Sequence, residues 1–194
     1  MAHFDLNTSL YTKETYILTR SINYFIQKID ISIVDCEIMN INFHARFNAK
    51  KRHYLYRIIN SSSQPILYKD MVYFIPYKIN IEKMRATTKY FLGQHDFTSF
   101  RGKKCQASSP IKTIDNIDIS TFSYQNNKIR YIDIRISATS FLYHMVRNIV
   151  GTMVDVGRGI IEVEDIKIIL NKKHRKYAGH MAPACGLYFV SVDY

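Results

Sequence analysis

The sequence has no tryptophan and only three cysteines, four prolines and seven glycines in 194 residues. Cys36, Cys105 and Cys185 are odd in number and far apart, with no Cys-x-x-Cys spacing. That excludes a self-contained disulfide framework, gives no zinc signature, and makes a reducing compartment the simpler reading. No apolar run approaches a membrane span, and MAHFDLNTS at the N-terminus has no stretch that could serve as a signal peptide, so a soluble, cytoplasmic protein is expected. Short-period repeats and low-complexity tracts are also missing. Acidic residues are scarce, 16 against 27 Lys and Arg, a formal charge of +11. A surplus of this size fits a polyanionic partner, because each phosphate neutralised releases condensed counterions. The skew towards Ile, Lys, Tyr and Asn also fits a coding bias, so charge alone does not decide the matter.

The apolar content of 47% and charged content of 22% are ordinary for a globular domain with one sizeable core or two small subdomains sharing a sheet. The positive charge is clustered at Lys50, Lys51 and Arg52, at Arg101, Lys103 and Lys104, and from Lys172 to Lys176. Clusters between strands and helices suit a groove that tracks a nucleic-acid backbone. The first cluster runs into Tyr54, Tyr56 and Ile58, whose period-two alternation predicts a strand over His53 to Ile59 with one buried face.

Along the chain, the pattern predicts a helix from Thr12, as N-cap, to about Tyr24, and a β-branched strand over Ile31 to Ile38. A loop at Ser61 to Pro65 and a short strand over Met71 to Ile75 follow, ended or left at an edge by Pro76. Ile81, Met84, Thr88, Phe91 and Leu92 have helical spacing behind an Asn80 N-cap, with Gly93 past the end. HDFTSF (His95 to Phe100) then falls where a functional loop is expected, before a polar, basic and mobile loop at residues 101–110. Ile114 to Phe122 and Lys128 to Ser137 read as a hairpin turning at Gln125 to Asn127. A helix over Ser140 to Val156 carries Phe141, Leu142, Met145, Ile149 and Met153 on one side and His144, Arg147, Asn148, Gly151 and Asp155 on the other. A short helix over Val163 to Leu170 and a strand over Leu187 to Val192 complete the reading. The class is α+β, with a mainly antiparallel sheet and helices on one face.

Five stretches carry a resemblance: FHARF with its basic linker and Tyr-x-Tyr strand (Phe43 to Asn60), HDFTSF, FLYHMVRNIVGTM (Phe141 to Met153), APACGLYFV (Ala182 to Val190) and the closing VDY (Val192 to Tyr194). In this order they resemble the TruA family of tRNA pseudouridine synthases, while residues 1–42 match more loosely. The resemblance implies the TruA-type fold, residues 1–60 being the remainder of its N-terminal half and 61–194 its C-terminal half. It also implies that the family's nucleophilic aspartate, in a Gly-Arg-Thr-Asp type loop, lies upstream of Met1 together with a strand and a helix. Arg147 matches the arginine that pairs with that aspartate, Tyr54 the active-site tyrosine, and Leu187 an apolar residue packing on the flipped uracil. No cofactor or metal is implied; the implied substrate is the anticodon stem-loop of tRNA and the implied assembly a homodimer.

Asp96 and Asp133 belong to a loop motif and a strand alternation, Asp5 comes too late to replace the missing aspartate, and no residue in the chain reads as the nucleophile. Three readings stay open at this point: a tRNA-modifying isomerase, a catalytically silent RNA-binding remnant of one, and an unrelated α+β binding protein.

Overall fold

A computed structural model describes residues 1–7, 14–124 and 128–194, which form two compact units, Met1–Asn48 and Ala49–Tyr194. The second is built around the strand β1 (Lys51–Ser61). Along one edge β1 pairs antiparallel with β5 (Ile129–Ala138), from Arg52 opposite Ala138 to Ser61 opposite Ile129. Its other edge is shared. The strand β6 (Leu187–Asp193) runs antiparallel beside Lys51 to Tyr56, and β2 (Tyr73–Ile75) runs parallel beside Ile58 to Asn60. Beyond β5 lie β4 (Ile111–Tyr124) and β3 (Gly93–Asp96). The sheet is therefore mainly antiparallel with one parallel pair, in an α+β domain, as the alternating patterns predicted.

The period of two sorts this sheet into faces. Tyr56, Ile58, Ile132, Ile134 and Ile136 share one face and are fully buried against α2 (Ile81–Phe91) and α3 (Met145–Gly157), with α4 (Asp165–Lys172) completing the core. On the other face Arg57 and Asp133 stand opposite each other and form two hydrogen bonds of 2.8 Å, Nε to Oδ1 and Nη2 to Oδ2. A buried carboxylate is tolerated only when paired this well. Asp133 is thus a structural group, consistent with its place in the strand alternation.

The helix predicted from Ser140 begins only at Met145, because His144 adopts a left-handed backbone (φ 61°) that interrupts the helical path. Phe141 and Leu142 therefore lie in the turn before α3. Nor is the polar side of α3 a wet face: of its thirteen residues only Arg147 is not buried. HDFTSF likewise turns inward, with Phe97 and Phe100 fully buried and the Asp96 carboxylate accepting from Thr98 N and Oγ1 and pairing with Lys173 at 3.2 Å. The predicted N-cap of α2 is realised, Asn80 Oδ1 accepting from Lys83 N at 3.0 Å. The turn at Gln125 to Asn127 lies outside the described residues.

In the first unit α1 spans Thr15–Ile26, without a buried residue, and its predicted cap Thr12 lies outside the described residues. The strand expected at Ile31 to Ile38 is absent; the backbone there is irregular. A strand-like rung comes from a side chain, the Asn23 amide bonding both Ile33 N and Ile33 O at 2.8 Å. Boundaries between units fall at Asn48 and Ala49, so β1 belongs with the residues that follow it.

Candidate active site

Tyr54 stands on the helix-covered face of the sheet, two residues from the buried Tyr56. Across β6 it faces Phe189 (ring centroids 5.2 Å), while Tyr56 faces Leu187. Phe141, in the turn before α3, presents its ring edge-on to Tyr54 at 5.1 Å. Aromatic pairs in such geometry contribute about 0.5–1.5 kcal/mol beyond their burial, so the Tyr54 ring is held while remaining half exposed. The pairing of β1 with β6 shifts register between His53 and Tyr54, leaving Val190 of β6 as the extra residue, and such a bulge re-aims the side chains beside it. Burial raises the Tyr54 phenol above its ordinary value, only partly offset by the charge of Arg52, so the hydroxyl stays protonated.

Beside this aromatic group, residues 178–183 lie along α3 as an irregular strap. Gly179 N donates to Thr152 Oγ1 (3.0 Å), His180 N to Asp155 Oδ2 (2.9 Å) and Ala182 N to Arg147 O (3.1 Å). In return Arg147 Nε donates to Ala182 O at 2.7 Å, and the Tyr56 hydroxyl donates to Pro183 O at 2.6 Å. Gly151 permits the approach, since a methyl group there would overlap the His180 carbonyl. The polar residues at three-four spacing on α3 thus make an internal seam. Among the described residues no carboxylate forms an ion pair with Arg147, whose charge reaches both Tyr56 and His144.

The basic residues separate into two kinds. Lys50, Lys103 and Lys104 are exposed. Lys51 pairs with Asp115 at 3.3 Å, and Arg52 donates to the carbonyls of Ala49 and Thr139. Arg101 donates through Nη2 to Cys105 O (2.8 Å) and Ala107 O (2.7 Å). Gly102 N bonds Tyr143 O (2.8 Å) and Tyr143 N bonds Cys105 Sγ (3.3 Å). The loop expected to be mobile is therefore cross-braced to the turn that carries Phe141. Burial alone would raise the Cys105 thiol, but the Tyr143 and Ala107 N–H groups and Arg101 outweigh it and lower its pKa.

The structure brings Tyr54 and Leu187 onto one face, with Arg147 beside the intervening Tyr56. The sequence reading did not single out Phe141 and Phe189, whose rings flank Tyr54. The period-two register of β6 against β1 carried the signal for Phe189; Phe141 was hidden by its apparent helical spacing.

Comparison with known proteins identifies the family of the chain. The sequence model of the family described as tRNA pseudouridine synthase matches residues 87–194. The tRNA pseudouridine synthase A of Ehrlichia ruminantium (strain Welgevonden) is 46% identical over all 194 residues, which cover 75% of that protein. Its counterpart in Ehrlichia chaffeensis is 48% identical over the same 194 residues and 76% of its own length. That of Orientia tsutsugamushi (strain Ikeda) is 45% identical over 179 residues, 92% of this chain and 62% of that protein. With a family match over more than half its length and relatives near one-half identity along the whole of it, the chain belongs to the tRNA pseudouridine synthase family.

Proposed function

We propose that the chain serves the isomerisation of uridine to pseudouridine in the anticodon stem-loop of tRNA. The glycosidic C–N bond breaks and a C–C bond to carbon 5 of the base replaces it; carbon 5 loses a proton and the freed nitrogen gains one. The target base leaves its stack at a cost of roughly a few kcal/mol. Stacking on Tyr54 recovers about 1–3 kcal/mol of this. Leu187 packs against the flipped uracil, with Phe141 and Phe189 as walls. Lys50, Lys103 and Lys104 contact the RNA backbone, whereas Lys51, Arg52 and Arg101 serve mainly to build the loops that carry them.

The observation that carries the reading is the state of Arg147. Its Nε is anchored to Ala182 O, next to the carbonyl held by Tyr56, while among the described residues no carboxylate pairs with its guanidinium. A guanidinium fixed on one side is suited to receive and orient a carboxylate nucleophile on the other. In this reading that carboxylate comes from the Gly-Arg-Thr-Asp type loop, the protein works as a homodimer in the cytoplasm, and one tRNA lies across both subunits. Identity near one-half with tRNA pseudouridine synthases along the whole chain does not favour a silent remnant.

The test is tritium release from carbon-5-labelled uridine in unmodified tRNA, by this chain alone and with a separately supplied segment carrying that loop. Release only on complementation supports the assignment. Release by the chain alone would move the nucleophile to one of its own carboxylates, and failure of both, with no tRNA binding, would sink the reading.

A further inference from the structure

Asp155 lies eight residues, about 12 Å, beyond Arg147 on α3 and faces the same strap. Its carboxylate is 9% exposed and sits in the last turn of the helix, where the helix dipole disfavours negative charge. The compensation comes from residue 180. Oδ2 accepts from His180 N at 2.9 Å and Oδ1 from His180 Nδ1 at 3.0 Å, while Arg158 Nη1 approaches Oδ1 at 3.7 Å.

A carboxylate facing Nδ1 accepts the hydrogen on that nitrogen, and the tautomer that puts it there presents Nε2 as an acceptor. Nε2 meets the Tyr73 hydroxyl at 3.1 Å. Burial, first among several causes, raises the Tyr73 phenol and keeps it a donor. The Tyr73 ring stands edge-on to Tyr56 at 6.4 Å. A continuous chain of groups, Asp155 to His180 to Tyr73, therefore runs from α3 to β2.

Residues 178–183 have no regular secondary structure, so nothing in a ladder fixes their path. The direction of the Arg147 Nε bond depends on where Ala182 O is held, two residues from His180. We propose that Asp155, acting through His180 and backed by Tyr73, is a positioning residue for Arg147. This rests on the reading that Arg147 belongs to the active site.

The experiment is hydrogen exchange of the Arg147 Nε–H and the Ala182 amide by nitrogen-15 NMR, comparing the unsubstituted chain with Asp155→Asn, His180→Gln and Tyr73→Phe. Loss of the imidazole–carboxylate bond in Asp155→Asn is expected to accelerate both signals about tenfold, with the Ile134 and Ile149 amides changing less than about twofold. Tyr73→Phe, which keeps the ring, is expected to give a smaller change of the same kind. An unchanged Arg147 signal overturns the proposal. So does uniform acceleration of all four signals, because Asp155 would then stabilise only the fold. If Asp155→Asn does not fold, His180→Gln and Tyr73→Phe decide on the same terms. tRNA binding by the unsubstituted chain separates the two levels: its absence sinks the functional reading, while the exchange ratios alone judge the positioning.

Discussion

Tyr56 and Arg147 hold neighbouring carbonyls: the tyrosine hydroxyl bonds Pro183 O at 2.6 Å and the arginine Nε bonds Ala182 O at 2.7 Å. One group comes from the central strand and the other from the central helix. Both meet on the segment that leads, through the turn Ala184–Gly186, into β6 and Leu187. The sheet, the helix and the start of β6 are therefore registered to one another through two consecutive peptide units.

Gly151 tests how tight this registration is. In an ordinary helix interior Gly→Ala stabilises by about 1 kcal/mol. Here the added methyl would overlap His180 O and crowd Ala182 N, both backbone atoms that cannot swing aside. Gly151→Ala is expected instead to destabilise by about 1–3 kcal/mol, read from the urea midpoint. A midpoint that rises would show that the strap yields easily.

The two tyrosines of β1 differ in role. Tyr54 is half exposed between Phe141 and Phe189, whereas Tyr56 is fully buried with its hydroxyl spent. Tyr54→Phe is expected to keep tRNA affinity within about twofold, because the ring still stacks; Tyr54→Ala is expected to lose about 1–3 kcal/mol of binding. Filter binding at fixed salt reads both. Equal losses would assign binding to the hydroxyl rather than the ring.

Arg101 and its neighbours Lys103 and Lys104 make opposite demands on the same loop. The arginine is committed to the carbonyls of Cys105 and Ala107, while the lysines are exposed. Lys103→Ala with Lys104→Ala is expected to change stability by less than about 0.5 kcal/mol. It should also flatten the dependence of log affinity on log salt by up to about 0.9 for each phosphate that is no longer neutralised. Arg101→Ala should lower the melting temperature of the chain. A double lysine variant with an unchanged salt slope would remove these two from the RNA interface.

What the sequence showed and what it hid follow from the range of the forces involved. β1 was legible because alternation of Tyr54, Tyr56 and Ile58 is a local pattern, and α2 because Asn80 caps it locally. The start of α3 was hidden because Phe141 and Leu142 continue a helical spacing that the left-handed His144 breaks. The Ile31 to Ile38 stretch has strand composition, yet composition supplies no partner strand. The seam on α3 was hidden because its partners, Gly179 to Ala182, lie some thirty residues on; spacing reports that a face is polar, not whether water or a carbonyl meets it. Tyr54, Leu187 and Arg147 were singled out as candidates through family resemblance, which no local pattern would have supplied.

Protection from hydrogen exchange should divide near Asn48. The helix α1 has no buried residue, and Val34, Ile38 and Ile41 are 95%, 88% and 83% exposed. Local opening there costs little, whereas β1 is hydrogen-bonded on both edges and has no exposed residue, with Tyr56, Ile58 and Ile59 buried. Amides of α1 are expected to exchange at least about a hundredfold faster than those of Tyr56 to Ile59. Comparable rates would mean that the first unit is held by interactions stronger than its burial indicates.

His144 gives the chain a pH dependence whose sign is fixed by its surroundings. Burial, and then the positive charge of Arg147, hold its imidazole below the ordinary value of 6.5. Between the folded value and 6.5 the unfolded chain binds more protons than the folded one, so stability rises with pH across that window. It is fully present above 6.5, declines as pH falls towards the folded value, and is flat with respect to this group below it. His144→Asn keeps a residue that tolerates the left-handed backbone and removes the titration. Urea midpoints at pH 7.5 and pH 5 are expected to differ less in this variant than in the unsubstituted chain. Equal differences would show that the His144 imidazole is not held below its ordinary value by burial and Arg147.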